Sequence, residues 1–91
     1  MGKYRVIVEK QAQADIEAHL RRGDKATIKR LFRILDELEE HPETGIGQPE
    51  RLKHALSGYW SRRISTVHRL IYKIDNDQVE VLVISAFGHY E

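Results

Sequence analysis

The sequence contains no cysteine, only two prolines and a single tryptophan. Without cysteine there are no disulfides, no thiolate nucleophile and no Cys-based metal site. The same absence fits a reducing compartment, so a cytoplasmic location is expected. The longest apolar run, near Val81 to Ile84, is far too short to cross a bilayer. The N-terminal residues MGKYRVIVEK lack the apolar stretch of a signal peptide, and Val6 stands where a myristoylation signal requires Ser or Thr. No membrane partner is therefore expected. One further absence is local: after Glu50 no carboxylate side chain occurs until Asp75.

The window that Glu50 opens, ERLKHALSGYWSRRISTVHRLIYK, is acid-free after that residue and holds six Lys/Arg residues, three aromatics and two histidines. The whole chain carries 15 basic and 14 acidic residues, so its positive charge is concentrated and not general. A cationic patch with interleaved aromatics is the footprint of phosphate-backbone binding, where charge and base stacking both contribute. With 91 residues, 32% of them charged and 41% apolar, residues 1–91 are expected to form one globular domain with a modest core.

Tyr4 to Val8 reads as a strand. Lys10 to Arg22 reads as a helix with Ala12, Ile16 and Leu20 at four-residue spacing, and Gly23 follows as its C-cap. Asp24 is placed to cap a second helix, whose Ile28, Leu31, Phe32, Leu35 and Leu38 form an apolar stripe. Its basic first half and acidic second half oppose the helix dipole, and Arg33–Glu37 is an i,i+4 pair. His41-Pro42 ends it, because the residue before proline is pushed out of the α region. An irregular connection with both prolines and three of the six glycines then leads to three strands, 59–65, 67–74 and 78–87. The expected class is α+β: two N-terminal helices packed on an antiparallel sheet of about four strands. Apolar residues occupy both faces of the last two strands, Leu70, Tyr72, Val79, Val81 and Val83 on one, Ile71, Leu82, Ile84 and Ala86 on the other. Two helices cover one face, which leaves the other to a loop or a partner.

RNA cleavage without a metal needs a base for the ribose 2′-OH, a cation for the phosphorane and an acid for the 5′-oxygen. Glu50, Lys53, His54, Arg62, Arg63, Arg69 and the pair His89-Tyr90 are the available groups. The histidines show no ligand spacing with carboxylates, so neither a metal nor another cofactor is expected. Residue types and spacing alone leave such cleavage a suggestion beside plain RNA binding.

The run from Gly45 through Gln48-Pro49-Glu50-Arg51-Leu52-Lys53, then LSGYWSRRI, HRLIY and the terminal His89-Tyr90, resembles the YoeB/Txe family of bacterial toxins within the RelE/ParE superfamily. The likeness is dense from Gly45 to Ile74 and returns at the C-terminal tail. It implies a RelE-like fold and a ribosome-dependent mRNA endoribonuclease that is restrained by a cognate antitoxin, with ribosome and mRNA as further partners. A homodimer stays open. By position, the resemblance makes Glu50 the general base, Arg69 the phosphate stabiliser and His89 the general acid, with Lys53, Arg63 and Tyr90 assisting the substrate. Phe87, where many members carry a basic residue, and Glu91 after Tyr90 depart from the pattern. The competing reading is a non-catalytic superfamily toxin that binds a protein target such as gyrase, which would have no use for both Glu50 and His89. Strand alternation also raises a difficulty. Two-residue turns at Ser65-Thr66 and Asn76-Asp77 would pair Arg62 with Arg69 and set His89 on the opposite face from Arg69, unless a bulge or strand end at Gly88 reverses it.

Overall fold

The computed structural model describes residues 3–54 and 57–88. Its elements are β1 (Arg5–Val8), α1 (Lys10–Arg22), α2 (Lys25–Leu38), β2 (Glu50–Arg51), β3 (Tyr59–Arg63), β4 (Arg69–Asp75) and β5 (Glu80–Ser85). They form a five-stranded sheet in the order β1-β5-β4-β3-β2. All neighbours are antiparallel except β1 and β5, which run parallel. The class is the expected α+β. The sheet gains a strand because Glu50 and Arg51 pair with Ser61 and Trp60 as a short edge. It is mixed because the two helices carry the chain across, so that β1 meets β5 as a parallel neighbour.

Local signals set the helices. Gly23 adopts the left-handed conformation and donates its N–H to the His19 carbonyl, ending α1. The Asp24 carboxylate accepts from Thr27 Oγ1 at 2.7 Å and from the Ala26 amide at 3.2 Å, starting α2. The Thr27 hydroxyl, with help from the amides of Thr27 and Ala26 and against the opposing effect of burial, holds the Asp24 carboxyl below its ordinary value. The buried faces are rotated from the expected ones. On α2 the inner residues are Thr27, Leu31, Ile34 and Leu38, while Phe32 remains 43% exposed. On α1 they are Ala12, Asp15 and His19, and Leu20 faces outward. Ala12, Leu31, Ile34 and Leu38 close over Leu70, Tyr72, Val81 and Val83 on a single face of the sheet.

Both hairpins differ in register from the two-residue turns expected of them. Between β3 and β4, Ser65 Oγ accepts from the amides of Val67 and His68, and Ile64 N–H bonds to the His68 carbonyl. The turn thereby takes up residues 64–68, and Arg63, not Arg62, stands opposite Arg69. A one-residue slip exchanges the two faces of a strand. Arg62 is therefore turned inward and Arg63 outward with Arg69. Between β4 and β5, the Asp75 carboxylate accepts from the amides of Asp77 and Gln78 and the turn lengthens to residues 76–79. That shift is by two, so the faces hold. A bulge follows, since Tyr72 pairs with Val83 but Ile71 with Ser85, which leaves Ile84 as the extra residue. Beyond Ile84 the alternation reverses, and Ala86 joins the core and not the face of Ile71.

Inward-turned Arg62 has no solvent exposure. Its Nη1 donates to Glu37 Oε1 at 2.7 Å, its Nη2 to the carbonyls of His41 and Thr44 at 2.8 and 2.6 Å, and its Nε to the Tyr72 hydroxyl at 3.2 Å. The Tyr72 hydroxyl donates in turn to the Pro42 carbonyl at 2.6 Å. Burial raises the Tyr72 phenol above its ordinary value, with Arg62 opposing, so it stays a donor. Burial also pushes the Glu37 carboxyl up, but the Ile46 amide and the Arg62 guanidinium outweigh it and hold the group below its ordinary value. The carboxylate that answers Arg62 thus comes from α2, outside the acid-free window. Close backbone approach completes the wrap: a Cβ on Gly45 (φ 126°) would fall on Glu37 Oε1, and one on Gly47 (φ 83°) would lie 2.8 Å from the Arg63 carbonyl oxygen.

Removing one partner of a buried pair strands the other charge, so Glu37→Ala should lower unfolding stability by about 3 kcal/mol in urea titrations at neutral pH. The pH dependence has a defined sign. Because Glu37 titrates lower in the folded than in the unfolded chain, its contribution is complete above the ordinary value of 4.5. It is lost as pH falls through the lower folded value. The stability gap between Glu37→Ala and the parent should therefore close in acid; a gap constant across that range would contradict the assignment.

Candidate active site

Register places Glu50, Ser61, Arg63, Arg69 and Ile71 on the face of the sheet that the helices leave open. β2 exists because Glu50 and Arg51 pair with β3, and this pairing carries the Glu50 carboxylate over Ser61. From the neighbouring strand, Arg69 Nη1 donates to Glu50 Oε1 at 3.0 Å and to Ser61 Oγ at 3.3 Å. The Glu50 side chain is 59% exposed and that of Arg69 24%. Arg69 is thus largely packed but not sealed from solvent. The ion pair is of the surface kind, worth little beside a full phosphate charge. Ser61 was not anticipated; its signal is only its position, two residues before Arg63 on the same face and directly opposite Glu50.

Arg63 lies directly opposite Arg69 on this face. Like charges facing each other across a strand pair repel. An anion between them removes that repulsion, so the arrangement suits a phosphate. Both line a small cavity of about 120 Å³ with Ser65, Thr66 and Val67. Lys53 lies elsewhere. It lines a larger hollow of about 410 Å³ with Arg51, Trp60 and Ile74, in which the Arg51 guanidinium sits 5.5 Å from the Trp60 ring centre. The structure does not hydrogen-bond Lys53 to Glu50 or Arg69. Arg62, one of the cations read as free for a ligand, is structural.

His89 and Tyr90 lie outside the described residues. The chain before them is held close to Arg69, whose amide donates to the Gly88 carbonyl at 2.8 Å. The reversal of alternation looked for at Gly88 occurs earlier, at the Ile84 bulge, and Gly88 itself follows the end of β5 with φ 77°. Phe87 turns to the helix side, its ring centre 4.3 Å from that of His68 and 5.0 Å from that of His19. Among the described residues no cluster of His, Asp or Glu is arranged to hold a metal ion, and no helix is long and apolar enough to cross a membrane.

Residues 8–90 match the model of a YoeB-like toxin of bacterial type II toxin-antitoxin systems. The chain belongs to this family. It is 46% identical over 68 residues to Toxin YoeB of Mycobacterium bovis, covering 75% of this chain and 78% of that one. Among solved structures, a YoeB/ParE toxin from Agrobacterium tumefaciens superposes with a TM-score of 0.83 at 29% identity, over 94% of this chain and 99% of the other. The toxin of a heterotetrameric YoeB–YefM toxin-antitoxin complex from Staphylococcus aureus gives 0.76 at 33% identity, over 96% and 98%. The resemblance to this family expected from the sequence is thereby established, and with it the standing of the chain as a toxin of a type II toxin-antitoxin system.

Because the Glu50–Arg69 pair is exposed, it should add little to the fold. Glu50→Ala is expected to change unfolding stability by less than about 1 kcal/mol. A much larger loss in denaturant titrations would make Glu50 a structural residue and remove it from the site.

Proposed function

We propose that the chain is a ribosome-dependent endoribonuclease that cuts mRNA and so inhibits translation. The observation that carries the reading is the contact between Glu50 and Arg69, with Arg63 beside them, on an open cationic face. In the proposed step Glu50 takes the proton of a ribose 2′-OH and the freed oxygen attacks the adjacent phosphorus. Arg69, helped by Arg63, neutralises the charge that gathers on the phosphorane oxygens. The bond to the 5′-oxygen breaks as His89 protonates it, leaving a 2′,3′-cyclic phosphate and a 5′-hydroxyl. In the resting protein Arg69 is paired with Glu50; an arriving phosphate competes for the guanidinium and releases the carboxylate for the base role. Lys53, from its separate hollow, and Tyr90 are assigned to holding more distant parts of the substrate.

A chain of this size offers a short groove, and the ribosome supplies the positioning that turns encounter into reaction. The restraining partner is assigned as a cognate antitoxin. The S. aureus relative is described in complex with YefM. In this chain the open face carries the half-buried apolar side chains of Ile7, Leu82 and Ile84, a surface suited to a protein segment.

Arg69→Ala and His89→Gln should each reduce cleavage of ribosome-bound mRNA by about 10²-fold or more, with unchanged far-UV CD. Mapping the 5′ ends of truncated mRNAs reads the outcome. Unimpaired cleavage in both variants would overturn the assignment of these residues, whereas growth arrest by a parent protein that yields no truncated mRNA would favour the binding-only alternative.

A further inference from the structure

α1 contributes a single apolar residue, Ala12, to the buried core. Its other buried residues are Asp15 and His19, at 8% and 3% exposure. Both are aimed at one residue of the chain just past β5. Asp15 Oδ2 accepts from the Ala86 amide at 2.9 Å, and His19 Nε2 donates to the Ala86 carbonyl at 2.7 Å. Two residues further on, His68 Nδ1 accepts from the Gly88 amide at 2.8 Å, while the Gly88 carbonyl takes the Arg69 amide. His68 is 8% exposed, and its ring lies edge-on to that of His19 with centres 4.7 Å apart. Burying a carboxylate and two imidazoles is costly compared with apolar packing. Such networks serve best where a single geometry must be specified. Here the fixed element is the backbone of Ala86–Gly88, and the next residue in sequence is His89.

We infer that Asp15, His19 and His68 are positioning residues that set the backbone from which the general acid is presented to the phosphate at Arg69. The inference rests on the reading of His89 as that acid. Misplacing a catalytic group by about 1 Å can cost about 10²-fold in rate, so loss of the clamp should appear in the chemical step. The His68 contact also dictates a protonation state, because a ring nitrogen that accepts a hydrogen bond carries no proton.

The test uses single-turnover cleavage on programmed ribosomes with two mRNAs, one natural and one with sulfur replacing the bridging 5′-oxygen at the scissile linkage. A thiolate leaves without protonation, so this substrate bypasses the acid. His68→Leu should cleave the natural mRNA about 10–100-fold more slowly and regain the parent rate on the sulfur substrate, as His89→Gln should. Arg69→Ala should stay slow on both. His68→Asn, which keeps an acceptor near the Nδ1 position, should remain close to the parent. A His68→Leu deficit that persists on the sulfur substrate, or no deficit at all, overturns the inference. Should His68→Leu fail to fold, His19→Leu, which spares the Gly88 contact, carries the same comparison. His89→Gln cleaving natural mRNA at the parent rate would sink the acid assignment itself, whereas an inactive His89→Gln beside a fully active His68→Leu sinks only the clamp.

Discussion

The buried Arg62 guanidinium is the interaction on which the rest of the molecule depends. It gathers the end of α2 through Glu37, the connecting loop through three of its carbonyls counting the longer 3.5 Å contact to Ile46, and β4 through Tyr72. An unpaired charge so placed would be prohibitive. The loop is therefore held to one path, and the path ends at Glu50. Fold and site are coupled at this point, since the cation that organises the loop also determines where the carboxylate emerges. The acidic end of α2, unfavourable for the helix dipole, is accounted for in part by Glu37, which serves Arg62, the Ile46 amide and Arg33 together.

The open face works by the opposite arrangement. Glu50, Arg63 and Arg69 are incompletely satisfied and reachable, joined by one surface ion pair and one like-charged juxtaposition. A site that binds phosphate gains from being poorly neutralised at rest, because the ligand then completes the electrostatics. The same sheet thus carries a satisfied arginine on one side and exposed ones on the other, and neighbouring residues Arg62 and Arg63 divide the two tasks.

What could be read from the sequence follows the range of the forces involved. The bounds of α1 and the start of α2 were legible to the residue because Gly23 and Asp24 are short-range signals, whereas α2 ends at Leu38, before the His41-Pro42 stop read from the sequence. Glu50, Arg63 and Arg69 were singled out through family resemblance; the structure puts Glu50 in contact with Arg69 and Arg63 opposite Arg69, while their roles stay part of the proposal. The hairpin register was not, because Ser65 captures two amides and enlarges the turn, a choice that alternation does not encode. The partner of Arg62 was hidden by distance, Glu37 being 25 positions away. The parallel pairing of β1 and the two-residue β2 arise from tertiary contact and not from propensity. Asp15 and His19 left one trace, a helix whose inner stripe is too polar to dock by apolar contact alone.

The Ile84 bulge makes β5 serve two masters. Up to Val83 its phase is that of the core; after one surplus residue the phase is inverted, and Ala86 is delivered into the grip of α1. What matters at this point is length more than identity. Many side chains would fit at position 84, but deleting one residue would leave the ladder to β1 intact while reversing everything downstream. The strand is in effect a reading frame, and the placement of Ala86 to Gly88 depends on residue count before it depends on side-chain chemistry.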